Sequence, residues 1–171
     1  MPAFNLLDYI DIVEGFKPVD LQTAANSGDY ISLKNYAGAL VVFLSAIGTN
    51  GDDPTLALAQ ATSVAGGSSK ALTFTELFSK QAATDLSATQ VWTKVTQAAA
   101  STYTNTDAAE QDLIWVVDVR AESLDVANGF DCIRATVADI GSNAQLGCLF
   151  YIPYGGRFFK APDAKLASII D

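Results

Sequence analysis

From Ala39 to Ile47 every residue except Ser45 is apolar, and a loop rich in glycine, asparagine, aspartate and proline, Gly48 to Pro54, follows at once. Beyond it Leu56, Leu58, Gln60 and Thr62 alternate with Ala57, Ala59 and Ala61, until Gly66 and Gly67 break the run and Ala71 to Phe74 opens another. Extended apolar stretches parted by such turn clusters are the pattern of an antiparallel β domain. The same reading predicts strands at Asp29–Leu33, Ala88–Thr96 and Leu113–Val119. It also predicts one at Phe130–Ile140, with Cys132, Arg134, Thr136 and Ala138 opposite Ile133 and Val137, and one at Gln145–Tyr154, with Cys148, Phe150 and Ile152 opposite Leu149 and Tyr151. Turns fall at Asn128-Gly129, Ser142-Asn143 and Gly155-Gly156. About eight strands with no βαβ unit predict an all-β antiparallel sandwich, an eight-stranded jelly roll, with an immunoglobulin-like sandwich as the alternative.

Four segments depart from this alternation. Near the N-terminus Leu6, Tyr9, Ile10 and Val13 recur at helical spacing, with Asp8, Asp11 and Glu14 opposite, Asn5 placed to cap and Gly15 to stop a helix. Glu76–Ser87 is helical in composition or a crossover between sheets, Gln97–Asp112 reads as a long loop or edge segment, and Arg120–Asp125 as a short extended piece. The expected organisation is therefore an N-terminal arm at 1–28, a β-sandwich at 29–159 and a tail at 160–171. The arm either folds back on its own domain or grips a neighbour, since an apolar terminus that docks on nothing frays. Its candidate contact residues are Phe4, Leu6, Leu7, Tyr9, Ile10, Ile12, Val13 and Phe16.

Composition sharpens the question of partners. Half of the 171 residues are hydrophobic and 17% are charged, an apolar balance that implies part of the outside is buried against something. Ten Lys and Arg against 19 Asp and Glu give a net charge of -9, which argues against nucleic acid and anionic lipid as partners. The acidic N-terminus lacks the basic start of a signal peptide, and the longest apolar run is shorter than the ~20 residues that span a bilayer, so no membrane role is expected.

The residues of catalysis are scarce. There is no histidine, which removes the commonest general base and zinc ligand, and Cys132 and Cys148 alone cannot build a four-ligand zinc site. Each cysteine sits in an apolar run and reads as a buried free thiol. Asn50-Gly51-Asp52-Asp53 lacks the spacing of an EF-hand calcium loop and reads as an acidic turn. Ala65 to Lys70 lacks the phosphate-loop spacing and reads as a hairpin turn. A glycosidase needs a carboxylate pair; Asp118, Glu122, Asp125 and Asp131 lie near strong strands, but no two are singled out. Trp92, Trp115, Tyr103, Tyr151 and Tyr154 are available for sugar stacking, although both tryptophans sit in apolar runs that core packing explains. No enzyme, metal or cofactor is expected.

Three stretches resemble one family. Tyr30-Ile31-Ser32-Leu33-Lys34-Asn35, then Leu58-Ala59-Gln60-Ala61-Thr62-Ser63-Val64-Ala65-Gly66 with Lys70-Ala71-Leu72-Thr73, then Leu124-Asp125-Val126-Ala127-Asn128-Gly129-Phe130-Asp131-Cys132-Ile133 are similar to the head decoration, or cement, proteins of tailed bacteriophages and prophages. The arm and the tail after Tyr154 lie outside it. The resemblance implies a structural protein without an active site. It would be made in the host cytoplasm, bind the outside of the icosahedral head, often as a homotrimer, and tie neighbouring major capsid subunits together. The competing expectation is a carbohydrate-binding module or receptor-binding phage appendage.

Overall fold

A computed structural model describes residues 5–82, 91–106, 108–109 and 111–157. Twelve strands form within them: β1 Val13–Asp20, β2 Asn26–Ser27, β3 Ile31–Ser32, β4 Gly38–Ser45, β5 Thr55–Ala61, β6 Lys70–Ala71, β7 Phe74–Ala82, β8 Thr93–Ala100, β9 Thr102–Thr104, β10 Asp112–Arg120, β11 Cys132–Val137 and β12 Leu146–Tyr154. The first sheet runs β1-β12-β4-β10-β7-β8. The second runs β2-β11-β5-β6, with β3 also pairing β11 and β9 also pairing β5. Every strand pairing is antiparallel.

The order is that of a jelly roll. Taking β2 with β3 as one broken strand and β6 with β9 as another, and setting aside the β7–β8 pair, leaves eight strands ordered 1-8-3-6 in one sheet and 2-7-4-5 in the other. The β7–β8 pair interrupts the strand that β6 and β9 make beside β5, and adds to the free edge of β10 instead.

Alternation decides which side chains fill the space between the sheets. From the first sheet come Ala39, Val41 and Phe43 of β4, Leu113, Trp115 and Val117 of β10, and Leu149 and Tyr151 of β12; from the second come Leu56 and Leu58 of β5 and Ile133, Ala135 and Val137 of β11. Trp115 is wholly buried, edge-on to Tyr103 with centroids 4.8 Å apart and tilted against Phe43 at 5.7 Å. Burial of each such side chain stabilises the fold by about 1.5–3 kcal/mol. Tyr151 adds a polar stitch between the sheets: its hydroxyl accepts from the Ala135 N–H at 2.9 Å and donates to the Asp29 carbonyl at 3.2 Å. Gly28 leaves room for that hydroxyl, which a β-carbon there would approach to 2.6 Å.

Several expectations are corrected. The helix from Asn5 to Gly15 does not form; a 3-10 turn at Leu6–Asp8, capped by the Asn5 side chain, gives way to Ile10 bridging Tyr154 and to β1. The apolar spacing marks no single buried helical face, because Leu6 and Tyr9 are exposed while Val13 is buried in β1, whose own period-two signal two register shifts disturb. Residues 13–27 of the expected arm therefore run within or beside the sandwich. Phe74–Ala82 is a strand, not a helix or crossover; Gln97–Asp112 holds the end of β8, which is an edge strand as one of its two readings has it, with the whole of β9 and the start of β10. Arg120–Asp125 curls into a 3-10 turn at Ala121–Ser123, followed by another at Val126–Asn128 that Gly129 ends with φ +82°. Residues 83–90, which include parts of two predicted elements, and the tail at 160–171 lie outside the described residues.

The acidic loop is structural. Asp52 accepts from the N–H groups of Ser142 and Asn143 and from the Asn143 amide, at 3.2, 3.0 and 2.9 Å. These donors, the Asn143 side chain foremost, hold its carboxyl below the ordinary aspartate range. Asp53 accepts from the Ala109 N–H at 3.0 Å. Among the described residues no group of three or more His, Cys, Asp or Glu could hold a metal ion.

Candidate interaction surface

The outward face of the first sheet is apolar across its width. One row of paired residues crosses all six strands: Glu14 opposite Phe150, Phe150 opposite Val42, Val42 opposite Val116, Val116 opposite Phe78, and Phe78 opposite Lys94. Four large apolar side chains thus stand together between an acid at one edge and a base at the other. The next row holds Cys148, Leu44, Ile114 and Lys80, and the row on the other side holds Ile152, Leu40 and Asp118. Paired residues share a face, so these side chains form one patch. Within it Phe78 is exposed, Leu40, Leu44, Ile114, Val116, Phe150 and Ile152 are half-buried, and Val42 is buried.

The sequence dictates this face. β4 reads Gly-Ala-Leu-Val-Val-Phe-Leu-Ser, apolar at nearly every position, and the sandwich covers Ala39, Val41 and Phe43 while Leu40, Val42 and Leu44 point the other way. A strand apolar on both faces belongs in a sheet covered on both faces. β10 and β12 repeat the pattern through Ile114 and Val116 and through Phe150 and Ile152.

The N-terminal segment extends the patch. Ile10 bridges Tyr154 and the Asp11 N–H donates to the Pro153 carbonyl, so the segment lies along the edge of β12. Of the candidate contact residues, Leu6, Leu7, Tyr9 and Ile12 are exposed and Ile10 is half-buried. Ile12 precedes the inward-facing Val13, so by alternation it joins the outward face. Val13 is buried in the core and Phe16 packs against it, which commits these two to this chain's own sandwich. Phe4 lies outside the described residues.

The second sheet's outward face is different. Its central row is Ser27, Thr136, Ala57 and Thr102. The Thr55 and Thr104 hydroxyls meet at 2.6 Å, and Arg134 pairs across from Ala59 and lies over the Tyr30 ring at 4.7 Å. Small and hydroxyl-bearing side chains fill this part of the face, while Tyr30, Ala61 and Cys132 form a small buried cluster farther along it.

The other singled-out groups are engaged within the fold. Asp118 accepts from the Tyr154 hydroxyl at 2.6 Å; burial and this carboxylate push the phenol up to about 12. Asp125 pairs with Lys70, accepts from the Asn128 amide and is held low by both, the Lys70 hydrogen bond first. Asp131 accepts from the Cys132 thiol at 3.1 Å, and Glu122 lies 3.8 Å from Arg120. Both cysteines are free; burial, then Asp131, pushes the Cys132 thiol up to about 12, and burial raises Cys148. Of the aromatics considered for sugar stacking, Trp115 and Tyr151 are core residues. Trp92, expected in the core, is exposed instead, with the Lys80 ammonium 4.7 Å from its ring centroid. The strand begins after it, at Thr93, so the apolar neighbour Val91 is exposed as well.

Sequence reasoning found the exposed N-terminal residues but missed the sheet face. Its signal was present: a β4 run without alternation, beside β10 and β12 runs apolar at successive positions.

No protein-family model matches the chain, and no curated protein matches it. Among solved structures it is similar to the SPBc2 prophage-derived protein YomS, with a TM-score of 0.44 and 12% sequence identity over 85% of this chain and 93% of that one.

Proposed function

We propose that this chain is a structural protein of a phage head, a decoration or cement protein that binds the outside of the shell and ties neighbouring major capsid subunits together. The observation that carries the reading is the apolar outward face of the first sheet, continuous with the exposed N-terminal segment. A flat, rigid, aliphatic surface suits docking on another folded protein, where desolvation of the patch supplies the affinity. The three sequence stretches similar to head decoration proteins point to the same role, and the net charge of -9 suits a shell exterior carrying basic patches.

Cementing then follows from mass action. A protein that binds the expanded shell and not its separated subunits stabilises the shell in proportion to the logarithm of its free concentration over Kd. Oligomers, taken here as homotrimers, multiply modest contacts by avidity. The test is co-sedimentation of the purified chain with heads of the phage or prophage that encodes it. Saturable binding, lost in a Val116→Asp, Phe150→Asp double variant, is the expected result; equal binding by that variant refutes the docking face.

A further inference from the structure

Where β12 ends, a cleft of about 730 Å³ opens between the 3-10 turns after β10 and the turn that follows β3. Leu33, Leu124 and Phe130 line it and are almost wholly buried. Lys34 and Arg157 stand exposed at its rim, brought together because the Arg157 N–H donates to the Asn35 carbonyl at 2.9 Å. Of the acids that also line the cleft, Glu122 lies 3.8 Å from Arg120, while Asp131 keeps its charge and accepts from the Cys132 thiol. Neither Lys34 nor Arg157 meets a carboxylate among the described residues. Two unpaired cations over an apolar lining, in a chain with a net charge of -9, call for a segment both acidic and apolar.

The molecule displays such a segment. Leu6 and Leu7 are 55% and 42% exposed on the turn that the Asn5 side chain caps. Asp8 accepts from the Asn5 amide and Asp11 from the Ile12 N–H, and neither meets a cation among the described residues. The segment runs past the cleft wall rather than into it: Asp11 is close enough to Tyr36, a lining residue, to raise its phenol after burial has done so, yet both leucines stay outside.

We propose that the segment Leu6–Asp11 of one copy docks in the Lys34/Arg157 cleft of a second copy. The leucines enter the cleft against Val126, the exposed apolar side chain of its lining, and the two aspartates meet the two cations. This deepens the oligomer part of the proposed function and does not need the shell. The contact joins two different surfaces, so it is heterologous and repeats in one direction until a ring closes. Donor and acceptor lie at the same end of the sandwich, which lets a ring as small as a trimer close around that end.

Sedimentation velocity on the full chain tests this, with circular dichroism reporting the fold. The wild-type chain is expected to sediment as a closed oligomer. The donor variant Leu6→Asp, Leu7→Asp and the acceptor variant Lys34→Glu, Arg157→Glu each self-associate at least ~30-fold more weakly, the scale of losing an interface hot spot. Their mixture forms a one-to-one dimer, because each supplies the half the other lacks. Adding Asp8→Lys and Asp11→Lys to the acceptor variant restores the wild-type species. A monomeric wild-type chain, or an acceptor variant that assembles normally, overturns the proposal. A chain that assembles as described but ignores phage heads overturns the proposed function and leaves this contact standing.

Discussion

The two outward faces of this sandwich sit on the same scaffold and carry opposite chemistry. Across the second sheet the central row reads Ser27, Thr136, Ala57, Thr102; across the first it reads Phe150, Val42, Val116, Phe78. Both rows lie on antiparallel strands opposite a shared core, so folding makes the same demand of each. Folding depends most on the inward rows, with cross-strand pairs on the outward rows contributing less. The first sheet's row is apolar where the second's carries hydroxyls: Phe78 is exposed, Val116 and Phe150 are half-buried, and Val42 is buried among them. The Thr and Ser row shows what that position holds when water is its partner.

The largest expected effect separates the faces by binding. The double variant Val116→Asp, Phe150→Asp is expected to lower affinity for phage heads by ~100-fold or more, two anchors lost at once, measured by co-sedimentation. Because both side chains point away from the core, the variant is expected to keep its fold by circular dichroism.

The core between the faces gives the next effects. Trp115→Ala removes the largest wholly buried side chain and is expected to cost about 3–5 kcal/mol in urea unfolding. Tyr151→Phe leaves the Ala135 N–H and the Asp29 carbonyl without their shared hydroxyl, an expected loss of about 1–3 kcal/mol in the same measurement.

Acid titration sharpens the role of the connection between β4 and β5. The Asp52 carboxyl is held below its ordinary value by donors that the unfolded chain lacks, so its contribution is present above about pH 4 and is lost as pH falls through the folded value. Asp52→Asn is expected to make the loss of stability below pH 4 shallower, followed by thermal melting across pH. The smallest effect is expected on the hydroxyl-bearing face, where Thr136→Lys should change neither head binding nor stability by more than ~0.5 kcal/mol.

Much of the sandwich was legible in the chain. Leu56, Leu58 and Gln60 against Ala57 and Ala59, and Ile133 and Val137 against Arg134 and Thr136, alternate as the sheets require, and β4, β5, β10, β11 and β12 fall where that pattern placed them. β7 was not legible, because Glu76, Lys80 and Gln81 lie on a strand near the sheet's edge, where solvent tolerates residues of helical composition. β1 was hidden by its register shifts. The proposed docking face was half legible: composition implies a covered outside, and the apolar N-terminal segment is where the sequence points first. Val13 and Phe16 face inward, and the larger apolar surface lies on strands already assigned to the core. Periodicity cannot show this, since a strand apolar at every position looks the same whether its second face is covered by this chain or by a partner.

The central claim is that the first sheet's outward face is the docking surface, and a cryo-electron microscopy reconstruction of heads decorated with the purified chain tests it directly. The account predicts density for the sandwich with Phe150, Val42 and Val116 turned against the shell and the Thr136 face turned to solvent. Heads that remain bare at saturating protein, or a sandwich that meets the shell through the Ser27, Thr136 and Thr102 face, would contradict it.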